Sequence, residues 1–176
     1  MKTSLNPKKI SPADVFVTIL EGDELIKCFG DVAAPGIKRN RPSGVEFIDQ
    51  LADLISHYKK NTTRFYEKQM GLHPNSIHSF MLLYTGMGFK QWLDQYLLLA
   101  AKELFLQTDY KLDAVAKRLG YSGISSFSYW YRKLAKEWPS DRRYWDRNKQ
   151  AKLDAELLTK IKHEQNKDRV KTEILP

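Results

Sequence analysis

Apolar residues recur along this chain at three- and four-residue steps, the spacing of helices that bury one face. Leu112, Val115, Ala116 and Leu119 make one stripe; Phe127, Trp130, Tyr131 and Leu134 make the next. Gly120 stands between them, where a helix end favours a residue that tolerates positive φ, and Ser122 is placed to help cap the second helix. The face opposite the second stripe carries Ser125, Ser128, Tyr129, Arg132, Lys133 and Lys136. Two short amphipathic helices around a glycine turn, the second polar and basic outside, form a helix-turn-helix pattern.

The same logic occurs earlier. Phe47, Ile48, Leu51, Leu54, Ile55 and Tyr58 predict a helix from Val45 to about Lys60. Asn61 or Thr62 is placed to cap a second helix running to about Met70, with Phe65, Tyr66 and Met70 inward. Gly71 closes it, and Pro74 suits the first turn of another. The glycine-turn motif thus occurs twice, from Gly71 and again from Gly120, and such a repeat is hard to explain in a generic bundle. Between the copies, Lys90 to Leu106 reads as the longest helix. Its Leu97, Leu98 and Leu99 make it apolar nearly all round, so it should be covered on more than one side by the N-terminal segment, the C-terminal tail or a second copy.

The ends differ from this core. Residues 1–14 are polar, and β-branched and aromatic residues then flank Glu21–Gly22–Asp23, which predicts a short β-hairpin lying on the helices. Ala33 to Gly44 reads as a linker in which Lys38, Arg39 and Arg41 are solvated or touch a polyanion. Residues 146–170 read as a charged helix with a narrow stripe of Leu153, Leu157, Leu158 and Ile161.

The order of residues adds a resemblance. Ala116–Lys117–Arg118–Leu119–Gly120–Tyr121–Ser122, then Ser126–Phe127–Ser128–Tyr129–Trp130–Tyr131–Arg132–Lys133, then Trp138–Pro139–Ser140, resembles the second half of the AraC/XylS-type DNA-binding domain, which reads approximately A-x-x-x-G-F-S…F-S-R-x-F-K-K…x-P-S-x-Y-R. Gly71–Leu72–His73–Pro74–Asn75–Ser76–Ile77–His78–Ser79–Phe80 resembles its first motif, G-M-S-P-x-x-L-S-R-x-F. The resemblance spans about residues 50–145. It implies an all-α domain of two helix-turn-helix subdomains joined by a long linker helix, with transcription regulation through double-stranded DNA as its role. RNA polymerase or another protein would be a second partner. Two departures stand out. Ser79 and Tyr129 replace the usual Arg, and no Lys or Arg lies between Gly71 and Phe89, so the first helix lacks bidentate Arg for base readout.

Charge agrees with the second motif as the stronger one. Residues 111–145 hold eight Lys and Arg against three Asp and Glu, which is +5 of a net +8 for the chain. Phosphate contacts would need such an excess there. DNA contact is therefore expected from Ser125, Ser126, Tyr129, Arg132 and Lys133 in the second recognition helix. Asn75, Ser76, His78 and Ser79 are expected in the first, with Lys111, Lys117, Arg142 and Arg143 on phosphates.

Other chemistry recedes. One cysteine, Cys28, excludes an internal disulfide, and the four histidines show no metal spacing. No phosphate-cradling glycine loop or nucleophile elbow occurs, so neither enzyme nor cofactor is expected. No apolar run reaches membrane-spanning length, which makes the cytoplasm the expected location. The whole reads as an N-terminal extension over 1–44, a double helix-turn-helix domain over 45–145 and a charged helical tail over 146–176. The competing reading is an interaction module that holds a protein partner through the apolar linker helix. Oligomeric state, operator and controlling signal stay open.

Overall fold

The computed structural model describes residues 9–22, 24, 42–143, 146, 148, 149, 151, 152, 155 and 156. The expectations for Lys38, Arg39, Arg41 and the apolar stripe of the tail lie outside these residues; the described tail positions are helical. After a 3-10 turn at Pro12–Asp14, the helices whose full bounds fall among the described residues are α1 Glu46–Tyr58, α2 Thr63–Gln69, α3 Ser76–Thr85, α4 Phe89–Gln107, α5 Leu112–Arg118 and α6 Ile124–Ala135.

Each helix follows its apolar spacing. In α1, Ile48, Leu51, Ala52 and Ile55 are fully buried, and Phe47 and Leu54 pack at the margin. Thr62 caps α2, its hydroxyl accepting from the Phe65 N–H at 3.2 Å. Gly71 and Gly120 both take positive φ, +65° and +85°. Two local expectations need correction. Pro74 does not enter a helix, because Asn75 takes the left-handed conformation at φ 68° and α3 begins only at Ser76. Ser122 does not cap α6; extended Gly123 is the N-cap residue, and Ser126 Oγ bonds back to its carbonyl at 2.9 Å.

The two glycines differ in their surroundings. A Cβ on Gly71 would meet nothing within 4 Å, whereas one on Gly120 would lie 3.2 Å from the Lys60 carbonyl oxygen. The approach is close because the Lys60 N–H donates to the Leu119 carbonyl at 3.1 Å. That bond ties the turn between α1 and α2 to the turn of the second motif.

Helix α4 runs through the centre, and at 1.5 Å per residue its length is about 28 Å. Trp92, Tyr96, Leu97, Ala100, Ala101, Leu104 and Phe105 on it are all buried. Its apolar excess is thereby accounted for: Leu97 is 1 % exposed and Leu98 and Leu99 are half-buried, so the helix offers no broad free apolar face.

The N-terminal segment supplies much of that cover; the second arm of the expected hairpin lies outside the described residues. Among the described residues there is no strand pair; Val17 forms an isolated bridge and Glu24 is helical. Val15, Val17, Ile19 and Leu20 are buried along a strap that crosses α4. Side chains of α4 satisfy part of the strap's backbone. The Val17 N–H donates to the Tyr96 hydroxyl at 3.0 Å, and the Ile19 N–H donates to Glu103 Oε2 at 3.0 Å.

These contacts set two outcomes. Gly120→Ala and Gly71→Ala both force an L-residue into the left-handed region, costing about 1–2 kcal/mol; urea melts should show a larger loss for Gly120→Ala, which also meets Lys60. Burial of the Glu103 carboxyl raises its pKa, outweighing the hydrogen bonds from Thr18 and Ile19 that lower it. A raised carboxyl pKa means that protonation favours the fold. Relative to Glu103→Gln, the wild type should therefore be most stable below about pH 4.5 and lose ground as pH rises through the shifted value. Paired thermal melts across pH check the sign.

Candidate nucleic-acid interface

The second recognition helix, α6, hides Phe127 and Tyr131 completely and keeps Trp130 half-buried. Trp130 is anchored through its indole N–H to Asp94 Oδ1 on α4, at 2.8 Å. With that side fixed, Ser125, Ser126, Tyr129, Arg132 and Lys133 are all exposed, as the periodicity predicts, and Tyr129 is 73 % exposed. The Arg132 guanidinium lies 4.4 Å from the centre of the Trp138 ring. A cation held over an indole face is oriented by the ring quadrupole, so Trp138 fixes the direction of the Arg132 side chain.

In the first recognition helix, α3, Asn75, His78 and Ser79 are exposed and Ser76 is half-buried. The two helices correspond at an offset of fifty residues. Ile77 and Phe127 are both fully buried, as are Met81 and Tyr131, and Gly86 and Lys136 both close their helices at positive φ. At that offset the exposed Arg132 and Lys133 correspond to Leu82 and Leu83, which are 45 % and 60 % exposed. The duplicated scaffold therefore carries a cationic pair on one copy and an apolar pair on the other.

A cleft of about 860 Å³ separates the motifs, with Asn75 and His78 of α3 on one side and Leu134 of α6 on the other. Arg64 from α2 and Lys90 from the start of α4 also line it. The sequence reading missed Arg64, Lys90 and Trp138. Lys90 was legible as the cation opening the longest helix, and Trp138 as an aromatic just beyond a basic helix; Arg64 carried no comparable signal. Glu67 is 4 % exposed in this wall, and its Oε1 has no hydrogen-bond partner.

The expected phosphate contacts are less uniform. Lys111 is exposed at the N-cap position of α5, with no capping bond from its side chain. Lys117 pairs with Asp113 at 2.8 Å, and both side chains are exposed, an arrangement worth little in water and easily exchanged. Arg142 is committed more firmly, with Nε 2.8 Å from Asp146 and Nη1 3.8 Å from Glu137. Arg143 donates to the Asp109 carbonyl at 3.0 Å. Among the described residues no group of three or more His, Cys, Asp or Glu could hold a metal ion, and no helix is long and apolar enough to cross a membrane.

Comparison with known proteins places this geometry. The family model described as a helix-turn-helix domain, of the AraC type, matches residues 66–144. No curated protein matches the chain. Among solved structures, the C-terminal domain of AraT, a response regulator from Geobacillus stearothermophilus, aligns at a TM-score of 0.53 and 19 % identity. That alignment covers 58 % of this chain and 88 % of that one. The C-terminal domain of the two-component response regulator yesN from Fusobacterium nucleatum aligns at 0.52 and 19 % identity, covering 56 % and 99 %. The DNA-binding domain of the global transcriptional factor AdpA, in complex with a target DNA, aligns at 0.51 and 19 % identity, covering 57 % and 92 %. The fold and the family model agree: residues 66–144 of this chain match the model of a helix-turn-helix domain, and the described helices have the fold of these solved domains.

Proposed function

We propose that the chain is a transcription regulator that binds duplex DNA in a sequence-dependent way, with α6 as its principal reader. The observation that carries this reading is the outward face of α6. Hydroxyls at Ser125, Ser126 and Tyr129 share it with exposed Arg132 and Lys133, on a helix whose other side is locked by buried aromatics. Such a face offers hydrogen bonds to base edges and cations to phosphates, and its dimensions suit a major groove. Support also comes from the solved AdpA domain, which has the same fold and is seen with its target DNA.

The first recognition helix makes a lesser contribution. Asn75, Ser76, His78 and Ser79 can bond bases or phosphates, but Leu82 and Leu83 offer no charge where α6 has its basic pair. Arg64 and Lys90, in the cleft wall, add cations close to this helix and belong with Lys111 and Lys117 among the phosphate contacts. Arg142 and Arg143 would first have to leave Asp146 and the Asp109 carbonyl.

Selection of bound duplexes from a random pool at physiological salt, with footprinting of the winner, tests the function. A protected motif with base preference under α6 is expected; absence of enrichment over salt-sensitive background would overturn sequence-dependent binding. On the selected site, the Arg132→Ala and Lys133→Ala double variant should bind more weakly. Its log K against log salt slope should be shallower by about 0.9 for each phosphate no longer neutralised. Conversely, Leu82→Arg with Leu83→Lys should steepen that slope, by up to about 1.8, if α3 lies along the backbone as α6 does. An unchanged slope would place the end of α3 away from phosphate.

A further inference from the structure

The N-terminal strap makes polar contacts with both halves of the domain. At one end the Ile10 N–H donates to the Tyr84 carbonyl at 3.1 Å, and Lys9 Nζ donates to the Leu83 carbonyl at 3.1 Å. These carbonyls lie in the last turn of α3, where the helix supplies no partner of its own. In the middle the strap lies on α4. The Trp92 indole N–H reaches the Ile10 carbonyl at 3.4 Å, the Tyr96 hydroxyl bonds Val17, and Glu103 accepts from the Ile19 N–H. At the far end Arg118, on α5 of the second motif, donates to the Ile19 carbonyl at 3.2 Å and pairs with Glu24 at 3.1 Å. Glu24 in turn accepts a hydrogen bond from the Tyr110 hydroxyl, in the connection between α4 and α5.

We infer that this strap is a brace that fixes the angle between the two helix-turn-helix motifs, and that Glu103 and Arg118 are positioning residues through which the protein selects the spacing of its two half-sites. The reason is geometric. A helix hinged at its two ends lets each motif swing, and a swing at either end changes where its recognition helix meets the duplex. The strap is bonded to the end of α3, along α4 and to α5, so any swing must break bonds at one of its ends. Its buried Val15, Val17, Ile19 and Leu20 hold it down between those anchors. The Lys60 N–H bond to the Leu119 carbonyl and the Trp130 bond to Asp94 support the same joint from other sides. The strap thus bonds both the end of α3 and the first helix of the second motif, α5.

The spacing consequence rests on the DNA-binding reading; the rigidity does not, and the test separates them. Residual dipolar couplings measured on the free protein should fit one alignment tensor for both motifs. In the Glu103→Ala and Arg118→Met double variant the two motifs should need different tensors, while Glu103→Gln, which keeps an acceptor for the Ile19 N–H, should behave as wild type. A thermal melt confirms that each variant is folded before it is compared. On DNA, inserting two base pairs between the half-sites of the selected site turns them by about 70° relative to each other. Wild type should lose at least tenfold in affinity on this insertion and the double variant less than threefold, with binding to each isolated half-site unchanged. A single shared tensor in the double variant would overturn the brace, whatever the DNA result. Two tensors with an unaltered spacing penalty would overturn its role in site selection. Should wild type select no site at all, the DNA-binding reading fails and the tensors still decide the brace.

Discussion

The buried hydroxyl of Tyr96 sits where three parts of the chain meet. It accepts from the Val17 N–H and lies 3.1 Å from the Val17 carbonyl and 3.2 Å from the Ala52 carbonyl of α1. A hydroxyl has one hydrogen and two lone pairs, so it can serve a donor and an acceptor of the strap or pass its hydrogen to α1. Without it, buried backbone groups would face an apolar ring, at about 1–3 kcal/mol for each group left unpaired. The strap, α1 and α4 are therefore joined by a polar contact inside an otherwise apolar layer formed with Trp92 and Phe16. The placement of the two motifs is built outward from this layer.

On that shared scaffold the duplicated motifs have diverged at the surface while keeping their cores. Buried Ile77 and Met81 of α3 correspond to buried Phe127 and Tyr131 of α6, where packing against the domain's core keeps the positions apolar. The outward positions are free of that restriction, and they differ in charge, size and hydrogen-bonding capacity. A two-motif protein with one basic face and one largely uncharged face grips a polyanion unequally. In the proposed complex with DNA, most of the salt-dependent affinity would arise from the second half.

Helical periodicity makes most of this fold legible without coordinates. The glycine turns at Gly71 and Gly120, the long central helix and the outward set of α6 all follow from local spacing and lie close to where that spacing puts them. Structure that depends on distant partners is not legible in this way. β-Branched residues from Val15 onward have the local character of a strand, and nothing nearby shows that Tyr96 and Glu103 would bond their backbone. Arg118 illustrates the same limit: its position on α5 is clear from the pattern, its attachment to Ile19 and Glu24 is not. For the interface, exposure can be read from the pattern, whereas engagement cannot. Arg142 and Arg143 look like free cations in sequence and are held by Asp146 and the Asp109 carbonyl in the fold.

The long reach of the strap also bears on how the molecule is made. Its bonds to Tyr96, Glu103 and Arg118 span 79, 84 and 99 residues of chain. During synthesis the strap leaves the ribosome before the helices that anchor it, and its last anchor emerges only after α5 is complete. At about 5–20 residues per second, Val15, Val17, Ile19 and Leu20 stay uncovered for roughly 5–20 seconds. The nascent chain thus carries a sticky apolar tether while the helices that will cover it are still being made. Its bonds to the end of α3 and to Tyr96 can form before its bond to Arg118, which closes last.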